Sequence, residues 1–424
     1  MREGWGMEWM KAIRKAEFGG SMNRIKLHNA RIITPFRQFE NGYVLVEDGL
    51  IAAVGEGDLQ VDDCVLIDVQ GNWLTPGFID IHTHGGGGHD FMDGTVEAYL
   101  GAVETHARHG TTAIVPTTLT STMEELRNTF DVYGAAKDVN QKGARMLGLH
   151  LEGPYFAMAQ KGAQDPRYIR DPKPEEYLEI LGWSDDIIRW SAAPELPGAL
   201  AFGRELAKRG ILASVAHSDA ICEQVLEAFE NGFTHFTHLY SAMSGVRRIN
   251  AYRYAGVIES AFLLEEATVE IIADGVHLPP SLLQLICKIK GPGKTALVTD
   301  SMRAAGMPEG ESIIGSLRDG MRVIVENGVA KLPDRSVFAG SVATTDRLVR
   351  TMMKTAGIPL MQVIRMMTST PAAILGMSRI RGCIAPGMEA DMVVFDGDVN
   401  IRMTMIGGKV VHEDMVAKDD AGCQ

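Results

Sequence analysis

Eight short apolar runs, at 78–84, 112–117, 146–152, 187–193, 212–217, 235–238, 269–274 and 295–300, set the terms for this 424-residue chain. Each is short enough for a strand, and helical stretches separate them. Residues 223–230 and 281–288, for example, carry apolar side chains at helical spacing. Strands alternating with helices build a parallel sheet. Eight of them predict an α/β fold with a closed (β/α)₈, TIM-like barrel, placed at 76–378. An open doubly wound sheet is the competing topology. The chain has no Gly-x-Gly-x-x-Gly turn of the dinucleotide-binding kind, which favours the barrel.

The flanks read differently. Strand-like runs at 25–27, 31–33, 43–47, 51–54 and 65–69 are punctuated by Asn, Gly and Asp, and the same punctuation returns around 391–395, 402–406 and 409–412. Both ends are expected to form one smaller β-sandwich domain from 23–75 and 379–417. Residues 1–22 are an extension without assignable chemistry, and Met22 is a candidate start. No apolar run reaches the roughly 18 residues of a membrane span, and 1–22 lacks the continuous apolar core of a secretory signal. Five scattered cysteines, without Cys-x-x-Cys spacing, point to a reducing, cytoplasmic setting. A net charge of −13 argues against nucleic acid or an acidic membrane as partner.

In such barrels the chemistry sits where the strands end. The first run, entered through Pro76-Gly77, ends in His82 and His84 before four glycines. On a strand that spacing puts both imidazoles on one face, with Thr83 on the other. Two histidines do not make a metal site. The other strand ends supply Glu152, His217, His238 and Asp300, each followed by a turn-like segment. Packed together without a cation, six such groups would have to satisfy one another at considerable desolvation cost. A divalent metal is the simpler account.

The segment Pro76-Gly77-Phe78-Ile79-Asp80-Ile81-His82-Thr83-His84, with Asp300 closing the last strand, resembles the amidohydrolase superfamily. His150-Leu151-Glu152-Gly153-Pro154, Ala216-His217-Ser218, the run from Thr237 to Met243 and Val298-Thr299-Asp300-Ser301 are more specifically similar to the N-acetylglucosamine-6-phosphate deacetylase family, over about 23–412. That resemblance implies a metal-dependent hydrolase that removes acetate from an N-acetyl amino sugar 6-phosphate. Glu152, His217 and His238 match the principal metal site, His82 and His84 a second, and Asp300 the general base and acid. It implies one or two divalent ions per subunit, Zn, Fe, Mn or Co. Ala163, Gln164, Ser241, Ala242, Arg253 and His277 match substrate-binding positions. Arg253 matches a residue that reaches the phosphate of the neighbouring subunit, which implies a homodimer or a higher homo-oligomer.

Three segments depart from the family pattern. Gln164 stands in place of a histidine, Ser241 in place of an asparagine, and Arg253-Tyr254-Ala255-Gly256 in place of Arg-Glu-Pro-Gly. They leave open N-acetylgalactosamine 6-phosphate, or another N-acyl sugar phosphate, as substrate. A non-catalytic scaffold is the alternative of a different class, and it is disfavoured because all six strand-end residues are kept. Arg247 and Arg248 read equally well as a solvated loop face. His89, His106 and His109 are expected outside the ligand set, His150 behind it, and His235 pointing elsewhere.

Overall fold

In the computed structural model, which describes residues 23–414, every one of the eight apolar runs contributes to a strand, the third split into Arg145–Met146 and Leu149–Glu152 and the sixth shifted to Phe233–Phe236. Phe78–Thr83, Thr111–Pro116 and Arg145–Met146 pair in parallel, as do Leu149–Glu152, Ile187–Ala192, Leu212–Val215, Phe233–Phe236, Thr268–Ile272 and Thr295–Val298. A bridge between Thr117 and His150 joins the two groups. The ring closes where the Asp300 N–H donates to the His82 carbonyl at 2.9 Å and the His84 N–H to that of Ser301 at 2.8 Å. The closure brings the chain's first and last candidate residues side by side.

Alternation within each strand separates two environments. In Ile187–Ala192, Trp190 faces the helices and packs on Tyr155 and Phe202 (centroids 5.7 and 5.0 Å), whereas Arg189 and Ser191 bond to other strands across the interior. Helices Cys222–Glu230 and Pro280–Lys290 cover the outside at the positions their apolar spacing predicts.

An eight-stranded sheet unites the two ends of the chain: Trp73–Pro76 pairs with Met392–Phe395, and Arg24–Thr34 pairs with Arg37–Glu47. The expected pair of strands at 25–27 and 31–33 is one continuous strand. Asn29 adopts φ 55° within it, and there the strand changes neighbour, pairing with Val65–Asp68 before this point and with Trp73–Pro76 after it. Asparagine tolerates this left-handed backbone better than most residues, so a turn residue here marks an irregularity in the strand rather than its end. Leu27, Ile32, Val44, Val46, Leu74, Met392 and Met403 fill the core of this sheet. The extension at 1–22 lies outside the described residues, as does 415–424.

One element was not expected. After the eighth strand, Gly310–Ile314, Met321–Glu326, Val329–Lys331 and Phe338–Ser341 form a separate four-stranded antiparallel sheet. Asp319 fastens it to the loop after the third barrel strand, accepting from Tyr168 Oη at 2.6 Å and Arg167 at 3.0 Å. Among the described residues no helix is long and apolar enough to cross a membrane.

Candidate active site

Three of the strands are followed by a left-handed backbone turn at the polar residue that faces the barrel mouth. His217, His238 and Asp300 have φ of 46°, 28° and 45°. Histidine and aspartate enter this region more readily than most side chains, and such backbone clusters at functional sites. The Asp300 conformation is held from both sides, its N–H bonded to the His82 carbonyl and its carbonyl accepting from the Ser341 N–H at 2.8 Å.

The six side chains meet as two triads, His82–His84–Asp300 and Glu152–His217–His238, each with ligand atoms within 4.8 Å of one another. Glu152 touches both. Its Oε1 lies 3.1 Å from His238 Nε2, 3.6 Å from His217 Nε2 and 3.4 Å from His82 Nε2, and its Oε2 lies 3.4 Å from His84 Nε2. Asp300 Oδ1 is 3.3 Å from His82 Nε2 and 3.2 Å from His84 Nε2. All six residues are buried.

Burial alone would lower the pKa of His84, yet Asp300 and Glu152 raise it to about 9. Burial likewise opposes ionisation of Glu152 and Asp300, but the surrounding histidines hold both below the usual carboxylate range. The cage therefore favours positive charge at its centre. His82 Nε2 points there with no hydrogen-bond partner, although it is fully buried. Mixed imidazole and carboxylate donors around such an atom fit a divalent transition metal. Glu152, His217 and His238 would hold one ion, and His82 and His84 a second beside Asp300.

The cage opens into a cavity of about 270 Å³. Ala163, Gln164, Ser241, Ala242 and His277 line it. Gln164 makes bonds of a kind the sequence did not suggest: its amide donates to Glu152 Oε2 at 2.8 Å and accepts from the Thr120 N–H at 2.9 Å. His277 is held by Asp274 at 2.8 Å, its ring 4.8 Å from that of Phe338. Arg253 is not in the wall. It is exposed on the hairpin Arg247–Ile249 and Tyr252–Tyr254, whereas Arg247 ion-pairs with Asp219.

Of the other histidines, His109 pairs with Asp346 at 3.2 Å and His106 bonds the Gly85 carbonyl at 3.0 Å. His150 lies behind the cage, its ring 4.7 Å from that of His82, between Thr117 and Ser191. His235 bonds Thr268 at 2.7 Å. Sequence reasoning missed the wall supplied by Ile314 and Phe338 of the extra sheet, with Val337 just before its last strand. It also missed the buried pair Arg189–Glu270 beneath the triads. A single charged residue inside each of two apolar strands was the available signal.

The Amidohydrolase family profile matches residues 73–411. The chain is 34% identical to N-acetylglucosamine-6-phosphate deacetylase of Vibrio furnissii over 87% of its length and 90% of the relative. It is 30% identical to N-acetylgalactosamine-6-phosphate deacetylase of Escherichia coli O157:H7, over 91% of this chain and 98% of that one. The structure of a Mycobacterium smegmatis N-acetyl-D-glucosamine-6-phosphate deacetylase variant, in complex with N-acetyl-D-glucosamine-6-phosphate, superposes with a TM-score of 0.83 at 30% identity, covering 92% of this chain and all of that one. With the barrel, its cluster of strand-end histidines and carboxylates and these near full-length likenesses in agreement, the chain belongs to the amidohydrolase family, within its N-acetylglucosamine-6-phosphate deacetylase branch.

Proposed function

We propose that this protein hydrolyses the acetamide of an N-acetyl amino sugar 6-phosphate, N-acetylglucosamine 6-phosphate in the first place, to acetate and the free sugar amine. The observation that carries the reading is the pair of triads joined through Glu152 at the floor of a sugar-sized cavity. Members of the family are metal-dependent, and these triads supply suitable ligands. When bound, a divalent cation acidifies water towards a pKa of roughly 7 and polarises a carbonyl. The nitrogen and oxygen donors suit Zn, Fe, Mn or Co.

The chain's own work is to place and move protons. Asp300 stands beside the cage with an ionised carboxylate. It takes a proton from the attacking water as the C–O bond forms, then delivers it to the nitrogen as the C–N bond breaks. Amines are poor leaving groups unless protonated, so both transfers matter. Ala163, Gln164, Ser241, Ala242 and His277 contact the sugar phosphate, with His277 oriented by Asp274. Arg253 serves the phosphate of a second subunit. In support, its hairpin carries exposed Val246, Ile249 and Tyr252, apolar surface suited to a subunit contact. A homodimer follows. A cytoplasmic location accords with Cys64, Cys222, Cys287 and Cys383 being unpaired.

Similarity to the galactosamine-type deacetylase keeps that epimer as the second reading. Catalytic efficiency, kcat/KM for acetate release, decides between them when measured on both N-acetyl sugar 6-phosphates and on their unphosphorylated sugars. One phosphorylated sugar is expected to exceed its unphosphorylated form by about 100-fold or more, the worth of one or two lost charge-assisted phosphate bonds. Equal rates with and without phosphate would remove Arg253 and His277 from their roles.

A further inference from the structure

Beneath the triads the barrel interior holds polar side chains that the proposed proton transfers do not use. Arg189 and Glu270, from the fourth and seventh strands, are both fully buried and form an ion pair. The guanidinium also donates to Ser214 Oγ at 3.1 Å, the Ile81 carbonyl at 3.1 Å and Thr237 Oγ1 at 2.8 Å. Barrel interiors are ordinarily filled by branched apolar residues. Two charges taken out of water repay their desolvation poorly, and an apolar pair of similar volume would serve a core as well. Stability therefore does not explain the pair.

Where Glu270 points does. Its Oε2 lies 3.2 Å from His82 Nδ1 and accepts from the His238 backbone N–H at 3.3 Å, while its Oε1 lies 3.4 Å from His235 Nε2. A carboxylate at Nδ1 keeps the imidazole proton on that nitrogen and leaves a lone pair on Nε2. His82 Nε2 is the atom that faces Glu152 and Asp300 without a hydrogen-bond partner.

We propose that Glu270, charge-balanced by Arg189, is a positioning residue for the cation held by His82 and His84: it fixes the tautomer and ring orientation of His82. The inference rests on the reading that the triads bind metal. Arg189 in turn keeps Glu270 ionised and in place. In Glu270→Gln the amide oxygen would face Arg189, presenting its NH₂ to His82 and driving the imidazole proton to Nε2.

Zinc affinity of the full-length protein, measured by competition with a chromophoric chelator, tests this directly. Wild type is expected to bind two equivalents, and Glu270→Gln to bind the second about 10- to 100-fold more weakly. Unchanged affinity for both equivalents in a folded variant would overturn the proposal. A wild type that binds no zinc would overturn the triad reading, and this inference with it. Because halving a buried ion pair threatens folding, the same question is put to intact, zinc-loaded wild type by ¹⁵N-histidine NMR. His82 is expected as the Nδ1–H tautomer; an Nε2–H tautomer would overturn the proposal without any variant.

Discussion

Replacing Glu152 with alanine is expected to strip both cations and take acetate release to the uncatalysed background, a loss on the order of 10⁶-fold for a typical enzyme. Glu152 is the side chain that reaches both triads: its Oε1 is within 3.6 Å of His82, His217 and His238, and its Oε2 lies 3.4 Å from His84. It is also the only carboxylate of the Glu152–His217–His238 triad, so without it that triad is reduced to two imidazoles. Metal content of the purified variant is the first check, and acetate release the second. A variant that kept two equivalents of metal would show that Glu152 does not bridge the sites.

Asp300→Asn should separate binding from chemistry. Asparagine keeps the shape and an oxygen near His82 and His84, but it neither accepts nor delivers a proton at neutral pH. A turnover loss of about 10³- to 10⁴-fold is expected, at the upper range for a general acid–base group. The cation held by Glu152, His217 and His238 should remain, since Asp300 is not in that triad. The effect belongs in kcat more than in KM, because the interaction is made in the transition state. Steady-state kinetics beside metal analysis reads both quantities. Near-native turnover would remove Asp300 from the mechanism.

Much of this site was legible in the chain because barrel chemistry is tied to strand ends. A histidine or carboxylate closing an apolar run is a local signal, and closure of the ring brought all six together. The helices followed from apolar spacing for the same reason. What escaped was non-local. The strands from Gly310 to Ser341 form a sheet of their own, and nothing in their local pattern says that Phe338 reaches His277. Whether Arg189 and Glu270 face inward follows from strand register and tilt, which single strands do not reveal. Gln164 marked a change in the substrate loop, but its bond to Glu152 depends on how that loop folds back over the third strand. Asn29, a turn residue by composition, sits instead within a continuous strand that exchanges partners.

Metal removal and reconstitution put the whole mechanism to the test. Chelator-treated protein should release no acetate from N-acetylglucosamine 6-phosphate or N-acetylgalactosamine 6-phosphate. Adding back Zn, Fe, Mn or Co should restore release of acetate, with one free sugar amine appearing per acetate. Undiminished turnover by protein shown to be metal-free would rule out metal-dependent hydrolysis at these triads. Metal-loaded protein that releases acetate from neither sugar phosphate would contradict the proposed reaction.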